Sequence, residues 1–285
     1  MKELTREAYA KINLTLDVLG KLPNGYHGVK MVMQSIDLHD DVTVRLDGTG
    51  KTTLHCSASY LPADASNLAW KAADAFYAAA GIRNPGTAIE IEKRIPVAAG
   101  LAGGSTDAAA VLRALNELHG VGFGDEKLCE IALPLGADVP YCLLGGTMLA
   151  EGIGEQLTPL PNCPRGWVVL VKPPFSISTA AAYAAMDENE PLVRPDTYGM
   201  LRALEVGDLR GVCHRLYNVM EEVAAGKHPE LSEIRGKLLD CGAEGVVMSG
   251  SGPTIYGMFL GETPARLALR VLQKEYSEIY LSRIL

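Results

Sequence analysis

The sequence predicts an α+β protein, and three observations predict it. Short segments that alternate polar and apolar residues, or run continuously apolar, occur from one end of the chain to the other. Segments with apolar residues three and four positions apart lie among them. The two kinds do not follow the strict βαβα order of a doubly wound parallel sheet.

Up to about Ala63 the chain reads as strands, such as AKINLTLDVLG and VKMVMQSIDL, separated by turns like LPNGYHG. DVTVRL also alternates, so DGTGKTTLH, residues 47–55, is expected to be a hairpin whose two strands meet at an Asp-Gly turn. Gly50, Lys51 and Thr52 spell the end of a phosphate-binding loop. That loop needs a glycine five positions earlier, where Arg45 stands, and a helix afterwards, where TTLHCSAS has no helical stripe. SNLAWKAADAFYAAAG is predicted as a helix with Ser66 as its N-cap and Gly81 at its end. TAIEIEKRI is the next strand, followed by a glycine-rich turn and a helix whose stripe is Ala108, Val111, Leu112, Leu115 and Leu118. TMLAEGIGEQLTPLP gives a strand and a turn. The cluster Pro159, Pro161 and Pro164 then sets an expected domain boundary, with residues 1–158 and 159–285 as the two domains. The second half continues with strand WVVLVKP, helices through roughly 179 to 240, a glycine turn within VVMSGSGPTIYGMFL, and a last helix and strand.

Bulk properties narrow the function. The 285 residues are 48% hydrophobic and 21% charged, the composition of a soluble globular protein with room for one large or two ordinary domains. A net charge of -8 argues against a nucleic-acid or acidic-membrane surface, and leaves an anionic small-molecule ligand open because screening confines its view to nearby charges. MKELTREAYAKINL lacks a signal peptide's apolar core, and no apolar run is long enough to span a membrane, so a cytoplasmic protein is expected. The six cysteines form no C-x-x-C pair and are expected to be free thiols. His55-Cys56 and Cys213-His214 are neighbours, but adjacent strand residues point to opposite faces, and no second pair supports a zinc site.

The stretch built for phosphate is IPVAAGLAGGSTDAAAVLRALNELHG, residues 95–120. Gly100, Gly103 and Gly104 let an anion approach the backbone, and the start of the following helix offers unpaired amides and a partial positive charge. Ser105, Thr106 or Asp107 can cap that helix. A tight strand-to-helix connection that binds nothing is the alternative, but three glycines in five residues, two hydroxyls and three small alanines are more than a turn requires.

PVAAGLAGGSTDAA, from Pro96 to Ala109, resembles the middle motif of the GHMP kinases, with Ala102 where a glycine and Thr106 where a serine are usual. Thr106 keeps a hydroxyl, and Ala102 is expected in a conformation that a methyl group permits. AKINLTLDVLGKLPNGYH and MSGSGPTIYG resemble the family's first and third motifs, so the likeness spans the chain. It implies a two-domain fold, an S5-domain-2-like N-terminal domain and a ferredoxin-like C-terminal domain, with ATP between them and Mg2+ as the metal. Lys11-Ile12-Asn13, the P-N-G-Y-H run from Pro23 to His27 and G-A-D-V-P from Gly136 to Pro140 are most similar to the branch acting on a cytidine diphosphate-linked methylerythritol in non-mevalonate isoprenoid synthesis.

The resemblance implies roles for single residues. The phosphate cradle is Pro96, Val97, Ala98, Ala99, Gly100, Leu101, Ala102, Gly103, Gly104, Ser105 and Thr106. Asp138 is the base on the attacking hydroxyl and Lys11 is its partner; a snorkelling lysine and a turn aspartate are their plain readings. His27 reads the cytosine edge, Tyr26 or Tyr183 stacks on the base, and Asn13 lies near the substrate. Asn67 and Leu68 lie near the adenine, and Lys93 offers a cation to ATP or is a solvated strand end. A homoserine- or mevalonate-type kinase, or a silent ATP- or sugar-binding sensor, are the rival functions.

Overall fold

The structure is a computed structural model and describes residues 2–23, 25–189, 191 and 193–285. Asn24 of the P-N-G-Y-H run lies outside the described residues. The chain forms two compact units that interleave along the sequence. One comprises Met1–Ala10, His39–Val97 and Ala102–Gly145, the other Lys11–Leu38, Ala98–Leu101 and Gly146–Leu285. The sequence reading divides the chain once, at 158/159. The first two strands, 20 residues each, contribute residues to both units.

The first unit holds one end of β1 (Lys2–Lys21) and of β2 (His27–Leu46), with β3 (Thr52–Cys56), β4 (Thr87–Glu92), and helices α1 (Leu68–Ala80), α2 (Gly103–His119), α3 (Asp125–Ala132) and α4 (Asp138–Leu144). The expected β2–β3 hairpin does not form. β4 lies between the two strands, antiparallel to β2 with Val44 opposite Ile89, and parallel to β3 with Leu54 opposite the same Ile89. The Asp47–Lys51 connection is instead tied to the lead-in of β4, through Asp47 N to Gly86 O at 3.1 Å and Gly50 N to Pro85 O at 3.0 Å. An alternating strand pattern specifies which face is buried and leaves the neighbour open. The inward side chains of these strands meet the apolar stripe of α2 in one core that includes Val42, Val44, Ile89, Val111, Leu112 and Leu115. Helix α1 is capped by Asn67, whose Oδ1 accepts from Ala69 N at 2.9 Å; Ser66, the expected cap, is turned to Asp64. Gly81, at φ 65°, ends the helix as expected.

The second unit pairs the other part of β2 with β5 (Thr147–Glu151), which turns back into β6 (Gln156–Pro159). A four-stranded sheet follows, in the order β11-β7-β10-β9, from β7 (Trp167–Val171), β9 (Gly245–Met248), β10 (Ile255–Phe259) and β11 (Ile279–Arg283). A two-residue strand β8 (Tyr217–Asn218) lies parallel to β1 at Thr15. The helices are α5 (Thr179–Glu188), α6 (Thr197–Glu205), α7 (Leu209–Cys213), α8 (Val219–Lys227), α9 (Glu230–Asp240) and α10 (Glu262–Leu272). β9 and β10 form the hairpin expected around MSGSGPTIYG, with Met248 opposite Ile255. The fold is thus α+β, as the mixed order of strands and helices predicts.

Candidate active site

Three sequence-distant stretches converge inside the second unit. Lys11 lies in β1 and is 4% exposed; its Nζ donates to Asn13 Oδ1 at 2.8 Å, and its backbone N donates to Leu101 O at 3.2 Å. Ser249, after β9, donates through Oγ to Gly100 O at 3.0 Å. Glycine is favoured where these backbones meet: a Cβ on Gly100, at φ 75°, would lie 2.1 Å from Ser249 O, and one on Gly250, at φ 57°, would lie 3.0 Å from Gly100 O and 3.2 Å from Lys11 Nζ. Asn218 holds the turn from beneath, donating through Nδ2 to Met248 O at 2.9 Å and Gly250 O at 2.8 Å. The buried Tyr256 hydroxyl donates to Asn13 O at 2.8 Å. Lys11 is therefore no snorkelling surface residue. The structure brings it together with Asn13, Gly100 and Leu101, while Asn218 was not foreseen because an asparagine inside RLYNVME carries no motif signal.

In the first unit, α2 begins directly after the glycine turn. Its N-cap is Ala102, and no side chain caps it; Ser105, Thr106 and Asp107 all lie within the helix. The expectation that one of these three caps the helix is thus overturned, because the helix starts two residues before Ser105. Ala102 sits at φ 59°, ψ 27°, in the left-handed region, a conformation that a methyl group permits but at a cost of about 1–2 kcal/mol. Ala98, in the preceding Pro96–Ala99 stretch, is likewise left-handed, at φ 51°. Thr106 N bonds Ala102 O at 2.9 Å, while the amides of Gly103, Gly104 and Ser105 precede the first intrahelical bond. A Cβ placed on Gly104 would meet nothing within 4 Å, so there is open space beside that residue, while one on Gly103 would meet Ile95 and Lys93 at 3.2 Å. An uncapped helix start whose first amides lack intrahelical partners, with open space at Gly104, is suited to a phosphate.

Lys93 is not at a solvated strand end. Its side chain is 7% exposed, and its ammonium bridges Asp40 and Asp107, the latter at 2.9 Å. Asp40 is fully buried and also accepts from Arg94 N at 2.5 Å and Ile95 N at 2.8 Å. Burial works against the charge on Lys93, but the two carboxylates outweigh it and raise its pKa above the ordinary lysine value. Neither aspartate stood out in the sequence, since Asp40 lies in the polar run DLHDD and Asp107 reads as a cap. Asp138 is half-buried and opens the short helix α4 as its acidic first-turn residue. Asn67 is committed to capping α1 and to Pro62 O at 2.8 Å, with half-buried Leu68 next to it as the helix's first residue.

His27 and Tyr183 are brought together in the second unit. Their rings stack with centroids 4.8 Å apart and planes 18° apart. His27 Nε2 also lies 2.7 Å from Asp187 Oδ1 on α5, and this hydrogen bond holds the Asp187 carboxyl below its ordinary pKa. Tyr26 is 63% exposed.

The chain resembles known proteins over nearly its whole length. The description "GHMP kinases N terminal domain" matches residues 67–146, and "GHMP kinases C terminal" matches residues 200–278. The chain is 43% identical over 276 residues to a 4-diphosphocytidyl-2-C-methyl-D-erythritol kinase of Clostridium novyi (strain NT), covering 97% of this chain and 98% of the relative. It is 46% identical over 280 residues to the protein of the same name in Pelotomaculum thermopropionicum, covering 98% and 97%. A crystal structure of a 4-(cytidine 5'-diphospho)-2C-methyl-D-erythritol kinase superposes with a TM-score of 0.83 at 35% identity, over 99% of each chain. A homoserine kinase from Cytophaga hutchinsonii, at 20% identity and a TM-score of 0.80 over 100% of this chain and 96% of that one, shares the fold. With its glycine turn, the buried Lys11 behind it and these matches along its whole length, the chain belongs to the GHMP kinase family.

Proposed function

We propose that the protein is an ATP- and Mg2+-dependent kinase that phosphorylates the 2-hydroxyl of 4-diphosphocytidyl-2-C-methyl-D-erythritol, in non-mevalonate isoprenoid precursor synthesis. The observation that carries a phosphotransferase reading is the convergence of Lys11, Gly100 and the Ser249–Gly250 turn. The choice of substrate rests on the relatives, which bear that name at 43% and 46% identity over nearly the whole chain. Phosphoryl transfer has a loose transition state, so a kinase mainly positions its reactants and neutralises charge on the moving group.

In this reading the amides of Gly103, Gly104 and Ser105 receive nucleotide phosphate, and the Pro96–Ala102 stretch sets their direction. Lys11, held by Asn13, meets negative charge that grows in the transition state. Asp138 accepts the proton of the attacking hydroxyl. Asn67 and Leu68 border the adenine, while Lys93 acts on ATP only through the charge of its buried cluster, since its ammonium is already engaged by two carboxylates. The His27–Tyr183 pair receives the cytosine: His27 reads its edge, one ring stacks on its face, and Tyr26 is the alternative stacking partner. Mg2+ draws much of its octahedral shell from phosphate and water, so it needs few protein oxygens. Among the described residues no group of three or more His, Cys, Asp or Glu could hold a metal ion by itself. Bound with ATP, the ion would neutralise phosphate charge. The six cysteines are free, as suits work in a reducing cytoplasm.

The test is to incubate the purified protein with ATP, Mg2+ and the cytidine substrate and to follow ADP. Stoichiometric ADP and phosphorylated product are expected. A well-folded sample without turnover ends the proposal, and turnover of homoserine or mevalonate that cytidine diphosphate does not inhibit redirects it.

A further inference from the structure

Asp107, the fifth residue of α2, turns into the protein instead of toward solvent and is 4% exposed. One of its oxygens accepts from Lys93 Nζ, while the other, Oδ1, is buried without a hydrogen-bond partner. The ammonium lies directly under the glycine turn, where a Cβ on Gly103 would come within 3.2 Å of it. One cation thus faces two buried carboxylates, Asp40 and Asp107, and the cluster is one positive charge short.

Among the described residues no second cation pairs with Asp107, although the Arg94 guanidinium is also attracted to Asp40. From β3 comes Cys56, a thiol whose pKa burial pushes up, so it stays neutral. Arg94 turns its guanidinium to Asp41 at 2.5 Å. The charged residues of α1, Lys71 and Asp74, are exposed, as are Asp125, Glu126, Lys127 and Glu130 of α3. Arg113, further along α2, is paired with Asp125 at 2.6 Å, and α4 contributes another acid, Asp138. A buried carboxylate oxygen with no partner is costly as an anion, and burial pushes the Asp107 carboxyl up to about 7.

A phosphate arriving at the first turn of α2 competes with Asp107 for the same two sources of positive potential, the helix N-terminus and the Lys93 ammonium. We infer that nucleotide binding at this turn is coupled to uptake of a proton by Asp107 at its unpartnered Oδ1, which makes the Asp40–Lys93–Asp107 cluster neutral when the polyanion is in place. Asp107 touches no nucleotide in this account; it is a positioning residue that adjusts the charge beneath the phosphate site. The inference rests on the proposed role of that turn as a phosphate cradle.

The test compares the wild type with Asp107→Asn, which leaves Lys93 and Asp40 as a balanced pair. ADP is the probe, so turnover plays no part, and titration of its own phosphates cancels in the comparison. Calorimetry in two buffers of different ionisation enthalpy should show the wild type taking up close to one proton more than the variant at alkaline pH. By linkage, the ratio of wild-type to variant dissociation constants should rise about tenfold between about pH 7 and about pH 8.5. Infrared difference spectra of the wild type alone should gain a protonated-carboxyl band on addition of ADP, a readout that survives if the variant misfolds. Equal proton uptake and parallel pH profiles, or no such band, overturn the inference. Failure of the wild type to bind ADP at all overturns it at its root, by removing the phosphate site, whereas ADP binding without turnover of the cytidine substrate leaves it standing.

Discussion

A methyl group at position 102 faces a left-handed backbone that glycine would adopt without strain. Ala102→Gly is therefore expected to stabilise the fold by about 1 kcal/mol, after the greater freedom of glycine in the unfolded chain offsets part of the relief; urea unfolding at constant slope measures it. Asp107 makes a second residue-scale prediction. Its carboxyl is raised from 3.8 to about 7, so the folded state holds a proton that the unfolded state has released across that window. Stability from this group is complete below the ordinary aspartate value and is lost as pH rises through about 7. Asp107→Asn, which has no proton to lose, should thus raise stability in urea unfolding more at about pH 8 than at about pH 5, by a difference on the order of 2–3 kcal/mol. A uniform shift at both pH values would refute the assignment. Asp138→Asn is expected to leave ADP affinity nearly intact while lowering the rate about 100-fold or more; full activity in the variant removes Asp138 from the role of base.

The β9–β10 hairpin is an element that holds its shape through a residue outside it. Asn218 spends both its donor and its acceptor capacity when buried, bonding Met248 O and Gly250 O through Nδ2 and capping α8 through Oδ1 to Met220 N at 3.0 Å. Asn218→Ala should cost about 2–4 kcal/mol, since a helix cap and the partners of two buried carbonyls disappear together. Asn218→Asp keeps the cap but presents acceptors to carbonyls, so it should do no better; a milder loss in urea unfolding would show that the cap alone matters. The hairpin itself was legible in the sequence, because glycines flanked by VVM and TIYGMF specify a turn between strands. So were α1, α2, β7 and α10, whose periodicity and punctuation are local properties. The β2–β3 pairing was misread because strand neighbours are chosen by long-range packing, and β4 arrives about thirty residues later to take the place between them. At the site, glycine spacing disclosed the loop. The bonds of Asn218, Asp40 and Asp107 join segments that no local pattern connects, so their roles became visible only when the chain was folded.

Chain connectivity carries the largest-scale expectation, because the second compact unit is not a sequential piece. Its C-terminal segment relies on residues 11–38: β8 pairs with β1 at Thr15, the Tyr256 hydroxyl bonds Asn13 O, and Ser282 Oγ accepts from Leu38 N at 2.8 Å. Leu285 N donates to Ser35 O at 3.2 Å, and Gln34 Nε2 donates to Leu285 O at 3.0 Å. Cutting at 158/159 removes all of these partners at once. It leaves Tyr256, wholly buried in the intact chain, with a hydroxyl and no acceptor, a loss on the order of 1–3 kcal/mol for that group alone. Because a whole domain is stable by only about 5–15 kcal/mol, several such losses exceed what the remaining sheet can sustain. A fragment of residues 159–285 should accordingly lack a cooperative urea transition and near-ultraviolet dichroism, whereas the same fragment with residues 11–38 supplied as a separate peptide should regain part of both. A fragment that folds alone, with a sharp transition and no response to the peptide, would instead place the true boundary where the proline cluster suggests it.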